Sequence, residues 1–258
     1  RYSLPFEKID DPRYVTLLFQ DHWSYTISIS VVYYLVILGL QRFLRHRPPF
    51  DLSRPLFYWN ASLAAFSVFA LVRTSEDFFQ SLTTYGAYRT LCETCHPNDV
   101  AAFWSLAFAL SKFVELGDTL FIVLRKRPLI FLHYYHHAAV LIYTIHSGAE
   151  HAAPGRAFVF MNLVAHSLMY TYFALSAAGY KIPRWVAMCV TTVQTVQMLA
   201  GVGITISVYL MKTVYRMPCQ QSLPNLYLAF TLYATFAVLF MQFFYRTYFA
   251  KSEKTVKK

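Results

Sequence analysis

The sequence predicts an all-α polytopic membrane protein, on three observations. Of its 258 residues, 57% are hydrophobic and only 14% charged, whereas soluble domains carry about 25% charged residues. So little polar surface cannot cover a water-facing protein of this length. The apolar residues fall in blocks of about 20, the length at which a helix crosses the hydrocarbon core. The alternating segments of about 10 residues that a membrane β-barrel requires are absent.

Seven blocks qualify as spans, near residues 24–41, 56–75, 101–124, 129–148, 157–179, 185–211 and 225–249. Breakers separate them: Pro48-Pro49, Pro97, Pro128, Pro154-Gly155, Pro183 and Pro218. Residues 1–258 read as one transmembrane domain. The chain begins at Arg1 rather than Met, so further N-terminal residues are expected, and its polar first 22 residues hold no apolar signal-peptide core.

Seven spans place the termini on opposite sides. One set of connections carries Arg42, Arg45, Arg47, Arg54, Arg125, Lys126, Arg127, Lys181, Arg184, Arg246, Lys251, Lys254, Lys257 and Lys258, which is 14 of the 23 basic residues. The positive-inside bias then puts the C-terminus in the cytosol and the N-terminus in a lumen. It also explains the net charge of +10 without nucleic acid, which is not expected as a partner. Cys92, Cys95 and Cys219 fall on the lumenal side, where oxidation is allowed. One disulfide is expected, Cys219 with Cys92, and Cys95 is the second choice. Asn60-Ala61-Ser62 has the glycosylation form but lies within a span, so it should be unused.

Ionisable residues inside spans are costly and mark function by default. Four patches concentrate them. In the third span, Lys112, Glu115, Asp118 and Thr119 recur at helical spacing and share about one face. In the fourth, His133, His136 and His137 set three imidazoles within one turn, a group suited to metal ligation, proton transfer or nucleophilic attack. The fifth carries Asn162, His166 and Tyr170, each four residues apart. The sixth carries Thr191, Gln194 and Gln197. Four polar stripes on successive spans point to one enclosed polar chamber.

The His-x-x-His-His spacing invites a metal, as in the di-iron boxes of membrane hydroxylases. Such centres need several ligands per iron, drawn from several boxes. Here there are nine histidines but one box. His22, His96, His146 and His151 fall on the opposite side and His46 in a loop, so His133, His136, His137 and His166 remain. That set could hold one zinc but no di-iron centre, and no metal is expected. A transporter or receptor would show polar faces open to both sides, which the clustered patches do not.

These motifs, in this order, resemble the very-long-chain fatty acid elongases, the membrane 3-ketoacyl-CoA synthases: Lys112-x-x-Glu115-x-x-Asp118-Thr119, His133-x-x-His136-His137, Asn162-x-x-x-His166-x-x-Met169-Tyr170-x-Tyr172 and Thr191-x-x-Gln194-x-x-Gln197. The similarity runs from about residue 15 to 250 and is greatest to the branch acting on saturated and monounsaturated chains. The resemblance implies seven helices, the last six in a barrel around an acyl tunnel, and condensation of acyl-CoA with malonyl-CoA to 3-ketoacyl-CoA, carbon dioxide and CoA. It implies no cofactor, an endoplasmic reticulum location, and the cycle's reductase and dehydratase as partners beside the lipid bilayer, with a homodimer also in view. His136 is expected to take the acyl group, with His137 or His166 and Asn162 assisting the malonyl step. Glu115 and Asp118 would orient imidazoles, and Arg125, Lys126, Arg127 and Lys181 could meet the CoA phosphates.

Overall fold

A computed structural model describes residues 3–250. Arg1 and the tail residues Lys251, Lys254, Lys257 and Lys258 lie outside the described residues. The regular structure is helical: α1 (Pro12–His22), α2 (Tyr25–Phe43), α3 (Ser53–Gln80), α4 (Gly86–Cys92), α5 (Val100–Glu115), α6 (Gly117–Leu124), α7 (Phe131–Ala149), α8 (Gly155–Ala177), α9 (Arg184–Tyr209) and α10 (Leu223–Tyr248), with π turns at Ser81–Tyr85 and Leu210–Val214.

Among the described residues, five helical stretches are long and apolar enough to cross a bilayer: Tyr25–Phe43, Ser53–Cys92, Gly155–Ala177, Arg184–Val214 and Leu223–Tyr248. The segments expected at 101–124 and 129–148 do not qualify, for different reasons. The first is broken at Leu116 into α5 and α6. The second, α7, holds four histidines and three tyrosines in 19 residues.

The helix expected at 56–75 runs on through the first π turn to Cys92. Its apolar pattern stops at Arg73, Glu76 and Asp77, yet the backbone stays helical because the charges find partners. Arg73 clasps Glu7 at 2.5 Å and Asp77 meets Arg156 at 2.7 Å. Helix α1 is an addition to the expected elements, formed within the polar first 22 residues. Its signals are local: Pro12 opens the first turn, and the Asp11 carboxylate accepts the Tyr14 N–H.

The helices are apolar outward and partly polar inward. Helix α2 buries Thr26, Ser30, Tyr33 and Ile37 but exposes Ile27, Val31, Val32, Leu35, Val36 and Leu38. An outer face of this kind needs lipid around it. Helix α3 packs along α8, and α9 along α10. The α3 stripe Ala64, Ser67, Ala70 and Thr74 is small and buried, which brings backbones close where lipid offers no hydrophobic drive. Gly201 serves the same end, since a Cβ there would lie 2.2 Å from the Tyr233 ring. Cys92 is bonded to Cys219, the expected pairing, and Cys95 is a free thiol. Asn60 is buried and donates to the Leu56 carbonyl, so the glycosylation form is inaccessible.

Candidate active site

The break between α5 and α6 organises the site. Gly117 has no side chain because Trp59 of α3 lies over it; a Cβ would fall 2.7 Å from the indole. That indole donates to Asp118 Oδ1 at 2.6 Å, while the Tyr170 hydroxyl donates to Oδ2 at 2.7 Å. The break also re-aims the polar residues, so the one face expected from their spacing divides. Lys112 and Glu115 turn toward α8, Asp118 toward Trp59 and Tyr170, and Thr119 toward α2 and α7.

Lys112 and Glu115 are 2% and 3% exposed. Nζ of Lys112 donates to Glu115 Oε1 at 2.7 Å and to Asn162 Oδ1 at 3.0 Å. Glu115 Oε1 also accepts from Ser111 Oγ at 3.1 Å and lies 3.6 Å from His166 Nδ1. A buried charge survives only when paired and hydrogen-bonded, and this cluster meets that condition while tying α5 to α8.

The three box imidazoles have different surroundings. His133 Nε2 shares a 3.0 Å hydrogen bond with Thr119, whose hydroxyl also meets Tyr33 at 2.5 Å. His137 is buried, with Nε2 3.9 Å from Asp118 Oδ2. His136 has no hydrogen-bond partner among the described residues; it packs beside Phe236, ring centroids 4.9 Å apart. Among the described residues, no group of three or more His, Cys, Asp or Glu converges in a form that could hold a metal ion.

His136 is also the only box residue that lines the apolar cavity beside α7, a space of about 220 Å³. The cavity starts at His136, Asn162 and Gln197 and follows α7 past Val140, Thr144 and Gly148, about 18 Å of helix rise, and continues to His151 and Arg156, where Asp77 and Cys95 also line it. Its walls are mostly apolar, with Phe108, Val159, Leu232 and Phe236 among them. The cavity is elongated and mostly apolar, a tunnel that runs beside α7. The Gln197 amide oxygen is buried at its start without a hydrogen-bond partner among the described residues. Gln194, by contrast, donates to Met169 Sδ at 3.1 Å, and Thr191 meets the Tyr248 hydroxyl at 3.1 Å. Those two hold helices together.

Arg125, Lys126 and Arg127 follow α6, at the end of the molecule where the histidine box begins; Lys126 and Arg127 are exposed. Lys126 Nζ donates to the Arg45 carbonyl at 3.2 Å. None of the three touches the cavity. Trp59, Tyr33 and Ser111 belong to the networks but carry no mark in the sequence. A lone aromatic or hydroxyl in an apolar helix has no spacing signature, and only the tertiary partner reveals it.

The fold and site define a multi-pass membrane protein with a charged, histidine-lined chamber at the head of an apolar tunnel. Residues 18–256 match the ELO family, described as GNS1/SUR4. The chain is 62% identical over 256 residues to "Putative fatty acid elongase 4" of Caenorhabditis elegans, covering 99% of this chain and 88% of that protein. It is 41% identical to "Very long chain fatty acid elongase 6" of Drosophila melanogaster, over 89% of this chain and 74% of that one. Against the human "Very long chain fatty acid elongase 3" the identity is 38%, over 93% and 88% of the two chains. The chain belongs to the ELO family, and its membership places it among the enzymes of fatty acid elongation.

Proposed function

We propose that this protein catalyses the condensing step of elongation, joining a long-chain acyl-CoA to malonyl-CoA. The observation that carries this reading is the placement of His136. It is an imidazole without a hydrogen-bond partner among the described residues, at the head of a mostly apolar tunnel. The acyl tail lies in the tunnel, so its thioester carbonyl stops beside His136. A ring nitrogen attacks that carbonyl, the C–S bond breaks, and CoA leaves with the imidazole proton as the thiol. The resulting acyl-imidazole splits one hard step into two. Malonyl-CoA then loses carbon dioxide, its enolate carbon attacks the acyl carbon, and the imidazole departs carrying a proton again.

The neighbouring groups divide the remaining work. Asn162, oriented by Lys112, donates to the enolate oxygen. Glu115 orients His166 and Asp118 orients His137, which assist at the malonyl group, while Gln197 offers its amide to the substrate. His133 is held by Thr119 and Tyr33 and steadies the box. No metal or cofactor takes part in this scheme.

The membrane arrangement follows from the same reading. Helices α2, α3, α5–α6, α7, α8, α9 and α10 make seven spans in the endoplasmic reticulum membrane, the last six enclosing the tunnel. The N-terminus is lumenal and the C-terminus cytosolic, so CoA sits at the cytosolic mouth near Arg125, Lys126, Arg127 and Lys181. The product passes to the reductase and dehydratase of the cycle, and the enzyme works as a homodimer. Saturated and monounsaturated chains are its substrates.

The test is incubation of purified protein with malonyl-CoA and a ladder of acyl-CoA lengths. Carbon dioxide release that requires both substrates, with a 3-ketoacyl-CoA two carbons longer, is expected. No malonyl-dependent release with any acyl length would refute the reading.

A further inference from the structure

The far half of the tunnel is not walled by the long helices alone. Helix α1 lays one face against it: Pro12, Val15, Thr16 and Phe19, at helical spacing, all line the cavity. Tyr14, Leu17 and Leu18 on the other face are 63%, 47% and 41% exposed. Phe19 enters the seam between α5 and α7, packing on Ala109, Leu141 and Ile145. A Cβ on Gly148 would lie 3.4 Å from its ring.

The helix is pinned at separate points. Thr16 Oγ1 meets His151 Nε2 at 2.8 Å and Gln20 donates to the Ala149 carbonyl at 3.0 Å. Upstream, Glu7 is 1% exposed. Its carboxylate takes both Arg73 nitrogens, at 2.6 and 2.5 Å, and the Trp104 indole at 2.7 Å. An amphipathic helix that rests on α7 and is latched through its leading segment is a separable wall.

Resting on the acyl-tunnel reading above, we propose that α1 sets how far an acyl chain reaches along the tunnel: Phe19 is the α1 side chain that the chain meets beside Gly148, and Glu7 is the positioning residue that holds α1 there. Chain-length preference then depends on a segment outside the long helices. Shortening Phe19 lets a longer chain pass and enlarging it stops a shorter one, without altering the histidine end.

The test compares wild type with Phe19→Ala, Phe19→Leu, Phe19→Trp, Glu7→Gln and Tyr14→Ala, reading both acyl-CoA binding (thermal stabilisation across a chain-length ladder) and elongation with malonyl-CoA. Expected is an optimum at least one two-carbon unit longer for Phe19→Ala or Phe19→Leu, and shorter for Phe19→Trp. Glu7→Gln should broaden the length profile, and Tyr14→Ala should match wild type. Unchanged length profiles in all the Phe19 variants, or an equal shift in Tyr14→Ala, overturn the proposal. Length-dependent binding that shifts as predicted in a protein that never elongates supports the wall and refutes the condensation reading instead.

Discussion

Replacing Lys112 with methionine removes one half of a buried ion pair and tests whether the chamber rests on it. Lys112 and Glu115 are both nearly inaccessible, and the ammonium bridges Glu115 to Asn162 at 2.7 and 3.0 Å. Lys112→Met leaves the Glu115 carboxylate with the Ser111 hydroxyl and the more distant His166. Uncompensated buried charge costs roughly 3–5 kcal/mol. For a chain of this size each kcal/mol moves the melting temperature by about 2–4 °C, so a fall of about 6–20 °C is expected. Glu115→Gln should cost less, because the amide oxygen still accepts from Lys112. The double variant Lys112→Met/Glu115→Gln removes both charges and should recover much of the loss, since an apolar replacement of a buried pair is often close to neutral. Melting of the detergent-solubilised variants supplies all the values of this cycle. A Lys112→Met variant that melts with wild type, or a double variant as unstable as the sum of the singles, refutes the reasoning.

Three further predictions follow from other parts of the molecule. Non-reducing peptide mapping should recover the Cys92 and Cys219 peptides linked, with Cys95 and Cys189 open to alkylation; Cys95 should react slowly, because burial and then the nearby Asp77 charge push its thiol up to about 11. The Arg73 hydrogen bonds, with help from Trp104, hold Glu7 down at about 2 against the opposing effect of burial. Its contribution to stability is therefore complete above the ordinary glutamate value of 4.5 and lost as pH falls through about 2, so the melting gap between wild type and Glu7→Gln should be widest near neutral pH and close at the acid end; a constant gap would contradict the latch. Gly117→Ala places a methyl against the Trp59 ring, displacing its indole from Asp118; expected is a loss of activity greater than the loss of stability explains, with partial rescue by Trp59→Phe, and normal activity in the Gly117→Ala enzyme would contradict it.

The parts of this protein visible in its sequence are those carried by local periodicity. Lys112 with Glu115, and the imidazoles at 133, 136 and 137, are legible because spacings of three and four residues put them within a turn. The spacing cannot say which imidazole faces the tunnel. That depends on Phe236 from α10 and on Thr119 reaching His133, neither of which is encoded near α7. The length of α3 is hidden for a related reason. Arg73 and Asp77 look like the end of an apolar helix until Glu7 and Arg156, far away in sequence, neutralise them. Helix α1 is short and flanked by charged residues in the sequence, and the cover for its inner face comes from the tunnel and α7.

Whether His136 carries the acyl group is read most directly from the intact mass of the enzyme after incubation with acyl-CoA alone. Wild type should gain the mass of one acyl group, which hydroxylamine removes and added malonyl-CoA discharges as 3-ketoacyl-CoA. His136→Ala should gain none, while His133→Gln, whose ring lies off the cavity, should still gain it. No adduct on wild type, or an adduct that persists in His136→Ala, would contradict the account.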